Sequence, residues 1–305
     1  MNRHIVLLII SITTVTAGGF AHPSDIDDDQ PAFTIATYNV RNLFDHHDDP
    51  YSSDEQTRTV PKPMEEVKAL ASVIRLLDAD VIALQEVESR GVLRKFKNGL
   101  LKPLSYRTPI LYEGNDMRGI DVAFLSRLRV GQVTSHRHLQ FPREGGAITR
   151  FSRDLLRARV YPSDDFWFDL YIVHFKAGWR KEDGQKRKAE AAMVREILDE
   201  ELDRDPAYRF MIVGDFNDRR ESEVVKLIEG THEGKLFCPT DELPEEERIT
   251  FILDSVRTQV DYIFCSPSMR SLYVAGSAKI THGDEAAAAS DHRPVSASFT
   301  IPPQK

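Results

Sequence analysis

The chain has 305 residues, of which 41% are apolar and 29% charged, with a formal net charge of −8. That is the make-up of a globular protein with material for a sizeable core, and it argues against a dedicated polyanion-coating protein, which is usually basic. It still allows an enzyme that meets phosphates locally through a metal ion and a few Arg or Lys side chains.

The first stretch, MNRHIVLLIISITTVTAGGFAHPSD, carries one early cation, Arg3, then an apolar run from Ile5 to Ile12 broken only by Ser11. Small-residue cleavage candidates follow at Val15-Thr16-Ala17 and Gly19-Phe20-Ala21. This layout predicts a secretory signal peptide over residues 1–21 and an exported protein, secreted or periplasmic; an uncleaved N-terminal anchor is the alternative. The apolar run is short for a membrane-spanning helix, and the sequence contains no second candidate span. Two cysteines, Cys238 and Cys265, permit a disulfide in an exported chain but do not establish the geometry for one, and two are too few for a Cys-rich zinc site.

Residues 22–32 read as a polar leader and residues 302–305 as a tail. Between them, FTIATYNV is the first strand. In PMEEVKALASVIRLL, Met64, Val67, Leu70, Ala71, Ile74 and Leu77 fall on one helical stripe. DVIALQEV, IDVAFLS, FDLYIVHF, RFMIVGDF, VDYIFCS and VSASFTI are further strands. QKRKAEAAMVREILDEEL is a strong helix, with Ala189, Ala192, Met193 and Ile197 on its apolar side, and EVVKLIE is a shorter one. No linker divides residues 33–301, so a single α/β domain is expected. The spacing of FDLYIVHF and VDYIFCS favours mixed-sheet partners, and two packed sheets with helices outside fit at least as well as one doubly wound sheet.

Polar residues recur at the ends of these strands: Asn39, Glu86, His174, Asp215 and Asn217, Asp261, and the pair Asp291 and His292. Each alone has a plain structural role available, as a turn, a cap or a surface ion pair. Together they require six apolar strands to end independently in Asn, Asp, Glu or His. Asn39, Glu86 and Asp291 are oxygen donors that suit Mg²⁺, Mn²⁺ or Ca²⁺. Two histidines with carboxylates to orient them suit proton transfer near neutral pH. Asp215 and Asn217 are two apart and share one side of an extended chain. G-x-S-x-G, Walker, H-E-x-x-H and G-x-G-x-x-G patterns are all absent from the sequence.

TYNVRNLF, IALQEV, DMRGIDVAFLS, VHFKA, VGDFND, VDYIF and SDHRPV, in this order, resemble the motif series of the endonuclease/exonuclease/phosphatase superfamily. The likeness covers about residues 33–301. It implies a four-layer αββα sandwich of two packed mixed β-sheets flanked by helices, with the active site at one end of the sheets. By position it implies that Asn39 and Glu86 bind metal, with Asp291 close to it. His292, paired with Asp261, resembles the general base or phosphate-polarising histidine. Asp215 and Asn217 resemble the residues that orient the attacking water and the scissile phosphate, and in some members the aspartate is itself proposed as the base. His174 resembles the second histidine, which contacts phosphate or serves the leaving group, and Arg118 lies where a phosphoryl contact is expected. Relatives often read NVENLFD where this chain has NVRNLFD, which places Arg41 beside the cleft.

Lys176 follows His174 by two and is the best additional phosphate contact, whereas Lys186, Arg187 and Lys188 read as a solvated helix face. Arg143, Arg150, Arg153, Arg157 and Arg159 read as an exposed hairpin or a track for a nucleic-acid backbone. His46 and His47 in DHHDDP read as a solvated loop, a second metal site being the alternative. The resulting expectation is a monomeric, secreted, divalent-metal-dependent endonuclease on DNA or RNA. A phosphatase or sphingomyelinase-type phosphodiesterase is the alternative, and a non-catalytic binding protein is a third reading.

Overall fold

The computed structural model describes residues 32–47, 60–107, 109–231 and 234–303. The expected signal peptide lies outside the described residues, and Ala32, read from the sequence as leader, is already in the first strand. The first half runs β1 (Ala32–Leu43), α1 (Met64–Leu77), β2 (Val81–Val87), α2 (Arg90–Gly99), β3 (Ile110–Leu111), β4 (Asp121–Ser126), β5 (Arg129–Ser135), β6 (Phe141–Pro142) and β7 (Ile148–Thr149). Then come β8 (Leu156–Tyr161), β9 (Phe168–His174), α3 (Lys181–Arg204), β10 (Phe210–Asp215) and α4 (Glu223–Glu229). The chain ends with β11 (Phe251–Leu253), β12 (Val256–Thr258), β13 (Asp261–Cys265), α5 (Pro267–Arg270), β14 (Lys279–Ile280), α6 (Asp284–Ala289) and β15 (Val295–Thr300).

Two mixed sheets form, in the orders β14-β15-β1-β2-β4-β3 and β13-β10-β9-β8-β5. Their inner faces meet in an apolar layer that includes Phe33, Phe124, Phe168, Ile172, Val213 and Phe299. Phe33 stacks on Phe168 and Phe299 at ring distances of 5.3 and 5.8 Å. Outside the first sheet lie α1, α2 and α6, through Leu70, Ile74, Leu93, Phe96 and Ala286. Outside the second lie α3 and α4, through Val194, Leu198, Val225 and Ile228. The order of layers is helix, sheet, sheet, helix, because each strand alternates one apolar face toward its partner sheet and one toward helices.

The parallel pairs β1/β2 and β9/β10 each arise from a crossover helix, so their carboxyl ends point the same way. Asn39, Glu86, His174 and Asp215 all lie at those ends. Their antiparallel neighbours deliver Asp261 at the start of β13 and Asp291 and His292 just before β15.

Several expectations change. On α3 the buried side chains are Ala189, Glu190, Ala191, Val194 and Leu198, so Ala192 faces solvent. Met64 is exposed at the start of α1. The arginine-rich stretch is mostly internal structure. Arg153 is buried, and Arg157 and Arg159 both pair with the buried Asp169, at 2.5 and 2.9 Å. Cys238 and Cys265 are buried free thiols. Cys265 lies opposite Phe237 in a bridge and faces the inter-sheet layer, while Cys238 faces the α3/α4 layer. Neighbouring strand positions point to opposite faces, which keeps the two sulfurs apart.

Candidate active site

Backbone irregularities aim the first carboxylate. β2 shifts register between Gln85 and Val87, leaving Glu86 as an extra residue with φ of 66°. Such a bulge turns a side chain out of the alternation it would otherwise follow. β1 shifts register after Asn39 in the same way, and Arg41 and Asn42 take φ of 50° and 55°. The freed amides then bind the site's oxygens. Arg41 N–H donates to Asn39 Oδ1 at 3.0 Å, and Asn42 N–H donates to Glu86 Oε2 at 3.1 Å. The buried Lys62 ammonium donates to the Arg41 carbonyl at 3.0 Å and braces this bulge.

VGDFND supplies the second wall. Gly214 has φ of 140°, and a Cβ there would fall 2.0 Å from the Val173 carbonyl oxygen, so only glycine lets β10 lie this close to β9. β10 ends at Asp215, and Asn217 sits beyond it in a left-handed turn with φ of 50°. The two therefore do not share a strand face as the spacing predicts. The turn itself joins them: Asn217 N–H donates to Asp215 Oδ1 at 2.8 Å, and Asn217 Nδ2 donates to the Phe175 carbonyl at 3.1 Å. Phe216 points into the core against Phe175 and Tyr262. Asp218 turns away to Arg187, 3.0 Å from its Nε.

Asp215 is the hub. Its Oδ2 accepts from Asn39 Nδ2 at 2.9 Å and lies 3.5 Å from His174 Nε2 and 3.8 Å from His292 Nε2. Glu86 Oε1 lies 3.3 Å from Asn39 Nδ2 and 3.9 Å from His174 Nε2. His292 Nδ1–H donates to Asp261 Oδ2 at 2.8 Å, which leaves Nε2 facing Asp215. Ser290 ties the last element to the first, donating to the Asn39 carbonyl at 2.8 Å and accepting from His292 N–H at 3.0 Å. The His292 ring packs on Phe251 at 4.9 Å.

Burial opposes charge on His292, but Asp261 and Asp215 outweigh it and raise its pKa. Burial also raises the Asp215 carboxyl, only partly offset by His292. Burial, reinforced by the nearby Arg153, pushes His174 well below the ordinary imidazole range. One imidazole therefore favours the cation and the other the neutral ring. Asp215, Asp261 and His292 are close enough to offer one metal cluster. Asp261 and His292 are already hydrogen-bonded to each other, however, so this trio is better suited to moving a proton. Asn39, Glu86 and Asp291 fit a hard divalent cation on donor chemistry: all can present oxygen, and the Glu86 Oε1 contacts of 3.3 and 3.9 Å are too long to engage it strongly. Arg41 Nε is 3.9 Å from Asp291 Oδ2, close to that carboxylate.

Other expected residues sit further out. Arg118 is held by Asp116, Nε to Oδ1 at 3.0 Å, with its side chain about half exposed. Its charge is felt by both Glu86 and His174. Lys176 Nζ pairs with Asp183 at 3.4 Å rather than standing free. Arg187 is no solvated helix residue, since it donates to the Lys176 carbonyl at 2.7 Å as well as pairing with Asp218. His47 N–H donates to Asp45 Oδ1, and Asp45 pairs with Lys95 at 2.6 Å.

The sequence pattern did not single out Arg153 and Glu190 as parts of the site. Arg153, fully buried, joins Asp116 Oδ2 at 3.0 Å to the Phe175 carbonyl at 3.0 Å, the same carbonyl that Asn217 engages. Glu190, fully buried on α3, accepts from Ser152 N–H and Lys176 N–H, both at 2.7 Å. A Glu at a core position of an otherwise amphipathic helix was the one available signal.

Residues 34–236, more than half of the chain, match the model of the Endonuclease/Exonuclease/phosphatase family. The chain belongs to this family. It is a metal-dependent hydrolase of the phosphodiesterase and nuclease kind. Comparison with curated proteins yields no match. Among solved structures the chain is similar to the human Nocturnin catalytic domain with bound sulfate (15% identity, 89% of this chain and 95% of that one, TM-score 0.61). It is also similar to D. rerio TDP2 complexed with a single-strand DNA product (18% identity, 88% and 99%, TM-score 0.57). A third likeness is to ANGEL2, a 2',3'-cyclic phosphatase, with adenosine-2',3'-vanadate (15% identity, 89% and 96%, TM-score 0.58).

Proposed function

We propose that this protein is an exported, monomeric, Mg²⁺-dependent endonuclease that cleaves DNA by in-line attack of water on phosphorus. The carrying observation is the position of Asp215 Oδ2, within 4 Å of Nε2 on both His174 and His292 and hydrogen-bonded to Asn39. Two imidazoles and a carboxylate converging on one point form a site for a water and a phosphoryl group.

Asn39, Glu86 and Asp291 hold the cation, which supplies positive charge to phosphoryl oxygens when bound. Asp215, oriented by Asn39 and by the Asn217 amide, takes the proton of the attacking water. His292, fixed by Asp261, presents Nε2–H to a phosphoryl oxygen. His174 presents Nε2 on the opposite side of Asp215, toward the phosphate or the leaving group. Arg118 and Lys176 contact phosphate at the rim once it competes with their acidic partners. Export rests on residues 1–21, and the likeness to a structure holding a DNA product supports the substrate class. The likeness to ANGEL2 favours, as second reading, a phosphatase acting on a small phosphate ester.

The test is mature protein assayed with Mg²⁺, Mn²⁺ or Ca²⁺ on supercoiled DNA, RNA, sphingomyelin, a phosphomonoester and a chromogenic phosphodiester. Conversion of supercoiled to nicked DNA is expected. Hydrolysis of the phosphomonoester with intact DNA would replace this reading with the second. Elution as a monomer from a sizing column and fractionation of the full-length precursor test the remaining two claims.

A further inference from the structure

A second cationic feature lies outside the centre built above. Arg90, Arg94 and Lys97 are spaced i, i+4 and i+7 on α2, and so share one face, while Val92, Leu93 and Phe96 bury the other. Across from them, Arg107 and Pro109 precede β3. Together with Asn98 these residues line a groove of about 590 Å³ that contains, among the described residues, four basic side chains and no acidic one. In a chain of net charge −8 such a concentration is against the average. Among the described residues, no ion pair holds Arg90, Arg94 or Arg107, and Lys97 donates to the Tyr106 carbonyl at 3.1 Å. Unpaired like charges facing one another repel, a cost that a bound polyanion removes.

The groove has a direction. Arg90 follows the Ser89 cap only four residues after Glu86, so its upper end adjoins the active-site end of the sheet. Arg107 N–H bonds the Ser126 carbonyl, and Ser126 pairs with Val81 at the opposite end of β2. The path therefore leaves the catalytic centre and descends the flank of the molecule along α2. From Arg90 to Lys97 it covers about 10 Å of helix, room for more than one phosphate of a strand.

We infer that this groove binds the sugar-phosphate backbone of a nucleic-acid strand beyond the cleaved phosphate, as an electrostatic track that adds affinity without base specificity. This rests on the nuclease reading above. Backbone neutralisation by side chains that touch no reacting atom changes substrate affinity and its salt dependence, and leaves chemistry on a short substrate alone.

The experiment compares wild type with an Arg90→Gln/Arg94→Gln/Arg107→Gln variant, all exposed positions whose replacement leaves the core intact. Binding of a fluorescein-labelled single-stranded DNA is measured in a non-cleaving His292→Ala background over a salt series. Hydrolysis of a chromogenic phosphodiester is measured in proteins that keep His292. Loss of three charges is expected to lower the slope of log affinity against log salt by about 2, to weaken binding at least tenfold at low salt, and to leave the chromogenic rate within twofold. An Arg→Lys triple variant restores most of the slope. An unchanged slope and affinity overturns the track while DNA cleavage by wild type keeps the nuclease reading. Failure of wild-type protein, kept from cleaving by EDTA, to bind the DNA at low salt also overturns the track, whereas absence of DNA cleavage by wild type with Mg²⁺ overturns the nuclease reading, and the chromogenic rate then shows whether the hydrolase itself is sound. Inorganic pyrophosphate displacing the label as well as unlabelled DNA does would reassign the groove to small polyphosphates.

Discussion

His292 Nδ1 donates to Asp261 Oδ2 at 2.8 Å, and this bond decides which ring nitrogen faces the substrate side of the site. With Nδ1 committed, Nε2 is turned toward Asp215, 3.8 Å away. Asp261→Asn keeps the shape and removes the negative charge that orients this ring and favours its cation. A fall in kcat of about 10²–10⁴-fold is expected, with unchanged circular dichroism. A kcat within threefold of wild type would detach Asp261 from the chemistry.

Removing the cation with EDTA is expected to abolish activity, and Mg²⁺ is expected to restore it. Glu86→Gln keeps the side-chain size while losing one negative charge from the oxygen set. The Mg²⁺ concentration for half activity is expected to rise by roughly 10–100-fold. Binding read directly by calorimetry with Mg²⁺ should move in parallel, and an unchanged titration would place the cation elsewhere.

Glu190 has no substrate to touch, yet it fixes two backbone amides beside the site, Ser152 and Lys176. Glu190→Ala leaves both amides buried without an acceptor, at a cost of about 1–3 kcal/mol each before relaxation. Lower urea midpoint and lower kcat are expected together, because the Lys176 amide follows His174 by two residues. A destabilised variant with full kcat would confine Glu190 to stability.

Asp169 is the acid-sensitive point. Burial alone would raise its carboxyl, but Arg159, Tyr208 and Arg157 outweigh that and hold it below the usual carboxylate range. A depressed folded value means that its contribution is complete above about pH 4 and is lost as pH falls through the folded pKa. Asp169→Asn should therefore cost roughly 2–3 kcal/mol at pH 7, where it removes the carboxylate facing Arg159 and leaves Arg157 with Glu201 alone, and progressively less in acid. Thermal melts of both proteins over a pH series check this, and a deficit that grows in acid would contradict it.

Cys238 and Cys265 should react with a thiol reagent only after denaturation, because burial raises both thiols and neither is accessible. The melting temperature should be the same with and without reductant. A drop under reductant would reveal a disulfide.

Much of this was legible in the order of residues. Strands such as VIALQEV and FMIVGD announce themselves by length, β-branched content and bounding polar residues, and the motif series placed the metal, carboxylate and histidine positions in chain order. Arg153 was read with the other arginines as surface charge, because a sequence carries no sign that Asp116 and the Phe175 carbonyl will meet it. Ala192 was placed on the wrong side of α3 because Ala is indifferent to burial and the true core position, Glu190, is polar.

By itself the sequence determined the class of layers, the strands that end in chemistry, and the residue types available there, since periodicity and local propensity depend on near neighbours. Only the tertiary structure decided which way those side chains point. The bulges at Asn39 and Glu86, the left-handed turn at Asn217 and the close approach at Gly214 all depend on a strand distant in sequence. The same holds for the all-basic groove between α2 and β3, whose charges become neighbours only when two separate segments pack on one sheet.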